Sequence, residues 1–158
     1  QGEWGGPYEP RAEETMTWFI NVLKPFIDAK FRTLPDRQHT FISGSSMGGL
    51  MTLYALLKHN DVFSRGAALS PTLDIDIDQL CQMIQETELT PDTVLYMDYG
   101  RREFDYEHWS RDNFVRAAQL LGSKDILLST RLVPEGEHNE ASWEKQLPFA
   151  IPTLMYNI

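Results

Sequence analysis

The segment Ile42-Ser43-Gly44-Ser45-Ser46-Met47-Gly48-Gly49 decides the fold class of this 158-residue chain. The run before it, residues 39–42, is too short for a helix and predicts a buried strand closed by Gly44. The residues after it predict a helix from Met47 to about His59. Residues 44–48 match the pattern G-x-S-x-G, in which a serine occupies a tight, strained turn between a strand and a helix. The segment therefore predicts that the Ser46 hydroxyl stands above the edge of a sheet.

The alternation of short apolar runs and helical patterns continues on both sides of this turn. An amphipathic helix is predicted from Arg11 to about Phe31, with a kink at Pro25. Downstream, the pattern predicts strands at residues 65–69, 93–98 and 126–133, and helices at residues 78–86, at residues 112–121, and from residue 141 until Pro148 and Pro152 interrupt it. Strands separated by helices predict an α/β fold, a mostly parallel sheet with helices on both faces. We expect residues 1–158 to form a single domain.

The composition narrows the classes of partner. The net charge of -9 disfavours nucleic acid and anionic membranes, because both would be repelled by an acidic surface. No apolar run approaches the roughly 20 residues that span a bilayer. Cys81 is the single cysteine, which excludes an internal disulfide and a cysteine-based zinc site. We therefore expect a soluble, cytoplasmic protein, and neither a metal nor an organic cofactor is implied.

The acidic segment Asp74-Ile75-Asp76-Ile77-Asp78 is similar to the start of a calcium-binding loop. An EF-hand requires glycine at its sixth position and glutamate at its twelfth, where this chain has Gln79 and Gln85. We therefore expect no calcium site there. The carboxylates are expected to serve as helix-start residues or as an exposed polar face.

Ser46 is the candidate nucleophile. The flanking glycines are expected because a side chain there would collide with the neighbouring strand and helix. The backbone N–H of Met47, at the start of the helix, is expected to face the position where an oxyanion would form. The alternative interpretation is a Gly/Ser turn that merely leads into a helix.

A nucleophilic serine needs a base, and the chain has four histidines. His39 precedes the turn, His59 ends a predicted helix, and His108 falls in a predicted polar loop. Only His138 follows the last predicted strand, in a turn-rich loop over residues 134–139. Because sites in parallel sheets form at the carboxyl ends of the strands, His138 is the predicted base. The alternative is an exposed loop histidine.

The acid that orients the base should follow the strand over residues 93–98. Glu103 lies past Gly100, on a loop that can extend toward His138. Asp98 is expected within the strand and Asp105 lies further along, so Glu103 is the first choice and Asp105 the second. Each of these carboxylates could instead be a solvated surface group.

Together these residues resemble the esterase D-like branch of the α/β-hydrolase superfamily, which includes enterochelin esterases, feruloyl esterases and S-formylglutathione hydrolases. Besides residues 42–49, the resemblance rests on Leu69-Ser70-Pro71, on Gly100 with Arg102-Glu103, and on Gly136-Glu137-His138 followed by Trp143. It implies an α/β-hydrolase fold and hydrolysis of a small-molecule ester. It also implies that Ser46 is the nucleophile, His138 the base and Glu103 the acid.

The same resemblance implies further strands ahead of the helix at Arg11, and a loop that supplies a second oxyanion N–H. Nothing in this chain matches those strands, so we expect it to be the C-terminal part of a longer hydrolase. Two alternative functions stay open. One is a hydrolase-like domain that binds a ligand without catalysis, and the other is an acyltransferase that uses the same three residues.

Overall fold

The computed structural model describes residues 11–105 and 108–158, without the side chains of residues 105, 108 and 109. The chain divides after Leu34 into two compact units, and each is described by itself. The expectation of one domain over residues 1–158 stays a prediction. No helix in the described parts of the chain is long and apolar enough to cross a membrane.

The first unit is helical and contains an irregular turn before Pro25. Helix α1 (Ala12–Trp18) is followed by a π-helical turn (Phe19–Leu23) and by helix α2 (Lys24–Lys30), in which Pro25 occupies the first turn. Proline lacks an N–H and its ring collides with the carbonyl four residues earlier. The helical pattern was predicted correctly, and the irregularity at Pro25 takes the form of a widened turn.

The second unit alternates strands and helices. Its strands are β1 (Phe41–Ser45), β2 (Arg65–Leu69), β3 (Val94–Gly100) and β4 (Leu127–Val133), and its helices are α3 (Met47–Lys58), α4 (Ile77–Glu86), α5 (His108–Gly122), α6 (Glu140–Glu144) and α7 (Leu147–Leu154). Short 3₁₀ turns occupy Arg37–His39 and Arg101–Asp105. The strands pair in the order β1-β2-β3-β4, and every pair is parallel. The predicted α/β fold with a parallel sheet is confirmed.

Helices cover both faces of the sheet. A Cβ atom added to Gly66 would lie 2.6 Å from the Leu56 side chain of α3. The next residue, Ala67, packs in a buried cluster with Ala150 and Leu154 of α7. Consecutive strand residues point to opposite faces, so α3 and α7 lie on opposite sides of β2. Strands β2 and β3 are buried throughout, as expected for central strands of a parallel sheet.

Some element boundaries differ from the sequence-based prediction. Strand β1 begins at Phe41 because the preceding Arg37–His39 forms a 3₁₀ turn, and Gly44 lies inside this strand instead of closing it. Helix α5 begins at His108, so the predicted polar loop around that residue was wrong.

The two C-terminal prolines do not interrupt a helix in the way that was predicted. Pro148 lies in the first turn of α7, where its missing N–H has no intrahelical acceptor. Pro152 lies inside α7, which ends two residues later at Leu154.

The acidic segment over residues 74–78 has structural roles. The Asp76 carboxylate accepts the Gln79 N–H at 2.9 Å and so caps α4. Asp74 accepts the Asn113 side-chain amide at 3.1 Å, which ties this loop to α5. The expectation that these carboxylates include a helix-start residue is confirmed for Asp76.

Candidate active site

Ser46 occupies the turn between β1 and α3 in a strained backbone conformation. Its φ is 56° and its ψ is -122°, a region that L-residues rarely occupy. Two backbone hydrogen bonds fix this turn: the Ser46 N–H donates to the Leu69 carbonyl at 3.0 Å, and the Ser46 carbonyl accepts the Thr72 N–H at 3.1 Å. The turn is therefore locked to the loop after β2, and it places the serine at the carboxyl end of the sheet.

The glycines around Ser46 differ in how much space surrounds them. A Cβ atom on Gly44 would lie 2.6 Å from the Gly48 backbone, and one on Gly49 would lie 2.9 Å from Pro71. A Cβ atom on Gly48 would have nothing within 4 Å outside its own helix. The prediction that a side chain would collide with its surroundings is confirmed at Gly44 and wrong at Gly48. The Gly48 backbone is the group that a side chain on Gly44 would meet.

This difference predicts opposite effects of the same substitution at two positions. We expect Gly44→Ala to lower the free energy of unfolding by about 1–3 kcal/mol, because the added methyl overlaps backbone atoms. Gly48→Ala is expected to be neutral or to stabilise by up to about 1 kcal/mol, because alanine favours the helix. Urea unfolding of both variants measures the two values. Equal destabilisation by both would contradict the steric account of this turn.

His138 lies within hydrogen-bond distance of the candidate nucleophile. Its Nε2 atom is 2.8 Å from Ser46 Oγ, and the Trp143 ring packs edge-on against the imidazole at a centroid distance of 5.1 Å. Asn139 accepts the Ser142 N–H at 3.0 Å and caps α6, which fixes the chain immediately after the histidine. The Trp143 ring and the fixed backbone after His138 thus limit the orientation of the imidazole.

Glu103 contacts the other nitrogen of the same imidazole. Its Oε2 atom is 2.7 Å from His138 Nδ1, and the carboxylate is buried although the histidine is partly exposed. Its Oε1 atom accepts two further hydrogen bonds, from the Gly100 N–H at 2.8 Å and from the Ser70 hydroxyl at 2.7 Å. The structure therefore brings Ser46, His138 and Glu103 together in one chain of hydrogen bonds.

Two glycines allow the loops that carry Glu103 and His138 to approach each other. A Cβ atom on Gly100 would lie 2.5 Å from the Gly136 backbone, and one on Gly136 would lie 2.7 Å from Gly100 Cα. The Arg102 N–H donates to the Gly136 carbonyl at 3.1 Å, which joins the two loops. The Arg102 guanidinium also pairs with Glu137 and Glu135, but these groups are solvent-exposed and contribute little.

The two other candidate acids have different positions. Asp98 is buried inside β3, where its oxygens accept the Ser70 N–H at 3.1 Å and the Tyr96 hydroxyl at 2.9 Å. The side chain of Asp105 lies outside the described residues. Burial, with a smaller contribution from the nearby Glu103 charge, raises the pKa of Asp98 to about 6, against the lowering effect of its two hydrogen bonds.

The raised pKa of Asp98 predicts how stability depends on pH. An ordinary aspartate titrates at about 3.9, so the folded protein holds this proton more tightly than the unfolded chain does. The neutral form of Asp98 therefore stabilises the folded protein at about pH 4, and this stabilisation is lost as the pH rises through about 6. The free energy of unfolding falls by about 2–3 kcal/mol over this range.

Asp98→Asn removes this titration. We expect the variant to gain about 2–3 kcal/mol relative to the wild-type protein between pH 4 and pH 7, measured by urea unfolding at both pH values. If Asp98→Asn differed from the wild-type protein by the same free energy of unfolding at pH 4 and at pH 7, the raised pKa of Asp98 would be contradicted.

Two further residues near the site, Thr72 and Ser70, were not predicted from the sequence. Thr72 Oγ1 lies 3.3 Å from Ser46 Oγ, and the Ser70 hydroxyl donates to Glu103. The sequence signal for Ser70 was its place in Leu69-Ser70-Pro71, which carried the family resemblance without an assigned role. Met47 is the first residue of α3, and the N–H groups of a first helical turn lack intrahelical acceptors.

The described residues contain no cluster of histidine, cysteine and carboxylate side chains that could hold a metal ion.

Two aromatic contacts lie near the site, one between Tyr99 and Phe104 and one between Trp143 and the His138 imidazole. Tyr99 stacks on Phe104 at a centroid distance of 5.1 Å.

Comparison with known proteins identifies the family. The family model described as "Putative esterase" matches residues 4–154. The chain belongs to this esterase family. No curated protein sequence matches the chain significantly.

Three solved structures with a similar fold share 19–21% sequence identity with this esterase-family protein. An IroE-like serine hydrolase from Shewanella oneidensis superposes with a TM-score of 0.78 at 21% identity, over 95% of this chain and 50% of its own. A ferulic acid esterase gives 0.73 at 21% identity, over 88% and 60%. The enterobactin esterase from Shigella flexneri gives 0.68 at 19% identity, over 86% and 36%. The chain therefore has the α/β-hydrolase fold and spans between about a third and 60% of the length of these structures.

Proposed function

We propose that the protein is a serine carboxylic-ester hydrolase that acts through Ser46, His138 and Glu103. The observation that carries this proposal is the continuous chain of hydrogen bonds from Ser46 Oγ to Glu103, with both links between 2.7 and 2.8 Å. Each residue follows a different strand of one parallel sheet, where sites of such folds form. Membership of an esterase family and the names of the three structural relatives support the same class of reaction.

Acylation begins with attack of Ser46 Oγ on the ester carbonyl. His138 Nε2 removes the hydroxyl proton, and the Glu103 carboxylate stabilises the imidazolium through Nδ1–H. The negative charge that develops on the carbonyl oxygen is stabilised by the Met47 N–H at the start of α3. Collapse of this intermediate breaks the ester bond, and the imidazolium gives its proton to the departing alcohol.

Deacylation repeats these steps with water. His138 removes a proton from the water molecule as its oxygen attacks the acyl carbonyl, and the imidazolium then returns a proton to Ser46 Oγ. The products are a carboxylic acid and the free enzyme. None of these steps uses a metal ion or an organic cofactor.

The proposed substrate is a small-molecule ester. One structural relative is named a ferulic acid esterase, and ferulic acid carries an aromatic ring; another is named an enterobactin esterase. The Trp143 ring beside His138 is an apolar surface of the kind that such a substrate would contact.

Turnover of p-nitrophenyl acetate tests this function. We expect a pre-steady-state burst of p-nitrophenol equal to the concentration of protein, followed by slower release of acetate. Added methanol separates hydrolysis from acyl transfer, because a transferase would form methyl acetate in preference to acetate. The absence of any turnover above a Ser46→Ala control, together with stable binding of a ligand, would favour the non-catalytic alternative.

A further inference from the structure

Ser70 has an unusual backbone and a buried side chain. It follows β2 directly, its φ is 40°, and only 2% of it is exposed. A positive φ in a non-glycine residue is strained and is retained where the surrounding structure enforces it. Ser46, at the end of the adjacent strand β1, is strained in the same way. Two neighbouring strands of the sheet therefore both end in strained serines at the candidate site.

Both hydrogen-bond donors of Ser70, its hydroxyl and its backbone N–H, contact a buried carboxylate. Its hydroxyl donates to Glu103 Oε1 at 2.7 Å, and its N–H is shared between Asp98 Oδ1 and the Asp98 backbone carbonyl, each at 3.1 Å. The second Asp98 oxygen accepts the Tyr96 hydroxyl at 2.9 Å, so both carboxylate oxygens are held. Asp98 thereby fixes the turn at Ser70, and that turn aims the hydroxyl at Glu103.

A buried carboxylate can rotate about its last side-chain bond unless donors hold its oxygens. The Gly100 N–H and the Ser70 hydroxyl both hold Glu103 Oε1, which leaves Oε2 directed at His138 Nδ1. The Gly100 N–H approaches Oε1 from one direction only, which by itself does not fix the plane of the carboxylate. The Ser70 hydroxyl approaches from a second direction, and the two donors together define that plane.

We propose that Ser70 is a positioning residue for the reaction: its hydroxyl fixes the plane of the Glu103 carboxylate, and Asp98 holds Ser70 in place. This inference rests on the proposed function, because it concerns the orientation of the proposed base. It gives the Leu69-Ser70-Pro71 segment a role that the nucleophile turn does not explain.

The test compares two buried serines at opposite ends of β2. Ser64 precedes the strand, is 1% exposed, and donates its hydroxyl to the Gln38 carbonyl at 3.3 Å, far along the strand from Glu103. Ser70→Ala and Ser64→Ala thus each delete one buried hydroxyl. Ser70→Gly is a second variant that accepts the positive φ without strain, for use if the alanine variant does not fold.

Two readouts separate positioning from stability. The first is the tautomer of His138, read from the imidazole ¹⁵N shifts in long-range ¹H–¹⁵N spectra and assigned with a His138→Gln variant. The second is the separation of kcat from KM with p-nitrophenyl acetate. We expect Ser70→Ala or Ser70→Gly to convert the Nδ1–H tautomer into a mixture and to lower kcat by about 10- to 100-fold with little change in KM. Ser64→Ala should leave both readouts unchanged.

The proposal is overturned if the Ser70 variants keep the wild-type tautomer and a kcat within about twofold, or if Ser64→Ala causes an equal loss. The tautomer is measured on the folded protein without any substrate. If the wild-type protein hydrolyses no ester, the proposed function fails, and the tautomer comparison still supports or overturns the positioning role of Ser70.

Discussion

Ser46→Ala is expected to reduce the hydrolysis of p-nitrophenyl acetate to the background rate, a loss in kcat that approaches about 10⁶-fold where the wild-type rate permits its measurement. Without the hydroxyl no acyl-enzyme forms, so His138 and Glu103 have no nucleophile to activate. The variant should stay folded, because the Ser46 side chain makes only exposed or partly buried contacts.

Ser45→Ala is the matched control for this prediction. Ser45 precedes the proposed nucleophile in the sequence, ends β1, and carries the same side chain. We expect it to retain activity within a few-fold, because the Ser46 turn depends on backbone hydrogen bonds to the loop after β2. Residual activity of Ser46→Ala above a few per cent, or equal losses in both variants, would contradict the assignment of the nucleophile.

Glu103→Gln is expected to lower kcat by about 10⁴-fold while preserving the fold, by analogy with the buried acid of serine proteases. The structure gives a specific reason for the loss. Two donors, the Gly100 N–H and the Ser70 hydroxyl, require an oxygen at the Oε1 position. The glutamine amide nitrogen must therefore occupy the Oε2 position and donate to His138 Nδ1. The imidazole proton would then lie on Nε2, which could not accept the proton of Ser46.

Asp105→Asn serves as the comparison, because Asp105 was the second candidate for the acid. We expect it to change kcat by less than about tenfold, since the described carboxylate beside His138 Nδ1 is that of Glu103. Steady-state kinetics of both variants, with the ¹⁵N tautomer of His138, decide between them. A larger loss in Asp105→Asn than in Glu103→Gln would reverse the assignment.

The topology of the sheet explains how much of the site could be predicted from the sequence. Parallel strands bring their carboxyl ends to one edge, so the residues that follow β1, β3 and β4 must lie near one another. For this reason local patterns alone pointed to Ser46, Glu103 and His138, which the structure places within hydrogen-bond distance. Their chemical roles remain proposals that the kinetic experiments test.

The remaining parts of the site depend on tertiary contacts that no local pattern reveals. Ser70 has a positive φ, and its N–H and hydroxyl are held by Asp98 of β3 and by Glu103 in the turn after that strand. Asp98 looks like any acidic residue in a strand until its burial is known. Gly48 matches the sequence motif, yet a side chain on it would meet no atom outside its own helix. The steric conflict arises instead from a side chain on Gly44, which would overlap the Gly48 backbone.

Covalent labelling with a fluorophosphonate probe tests the central claim most directly. Such probes phosphonylate a serine only where a base activates it and an oxyanion site receives the new negative charge. We expect one adduct per molecule of the full-length active protein, mapped by mass spectrometry of tryptic peptides to Ser46, and much slower labelling of Glu103→Gln. An active protein that carries no adduct on Ser46, or carries it on another serine, would contradict the account.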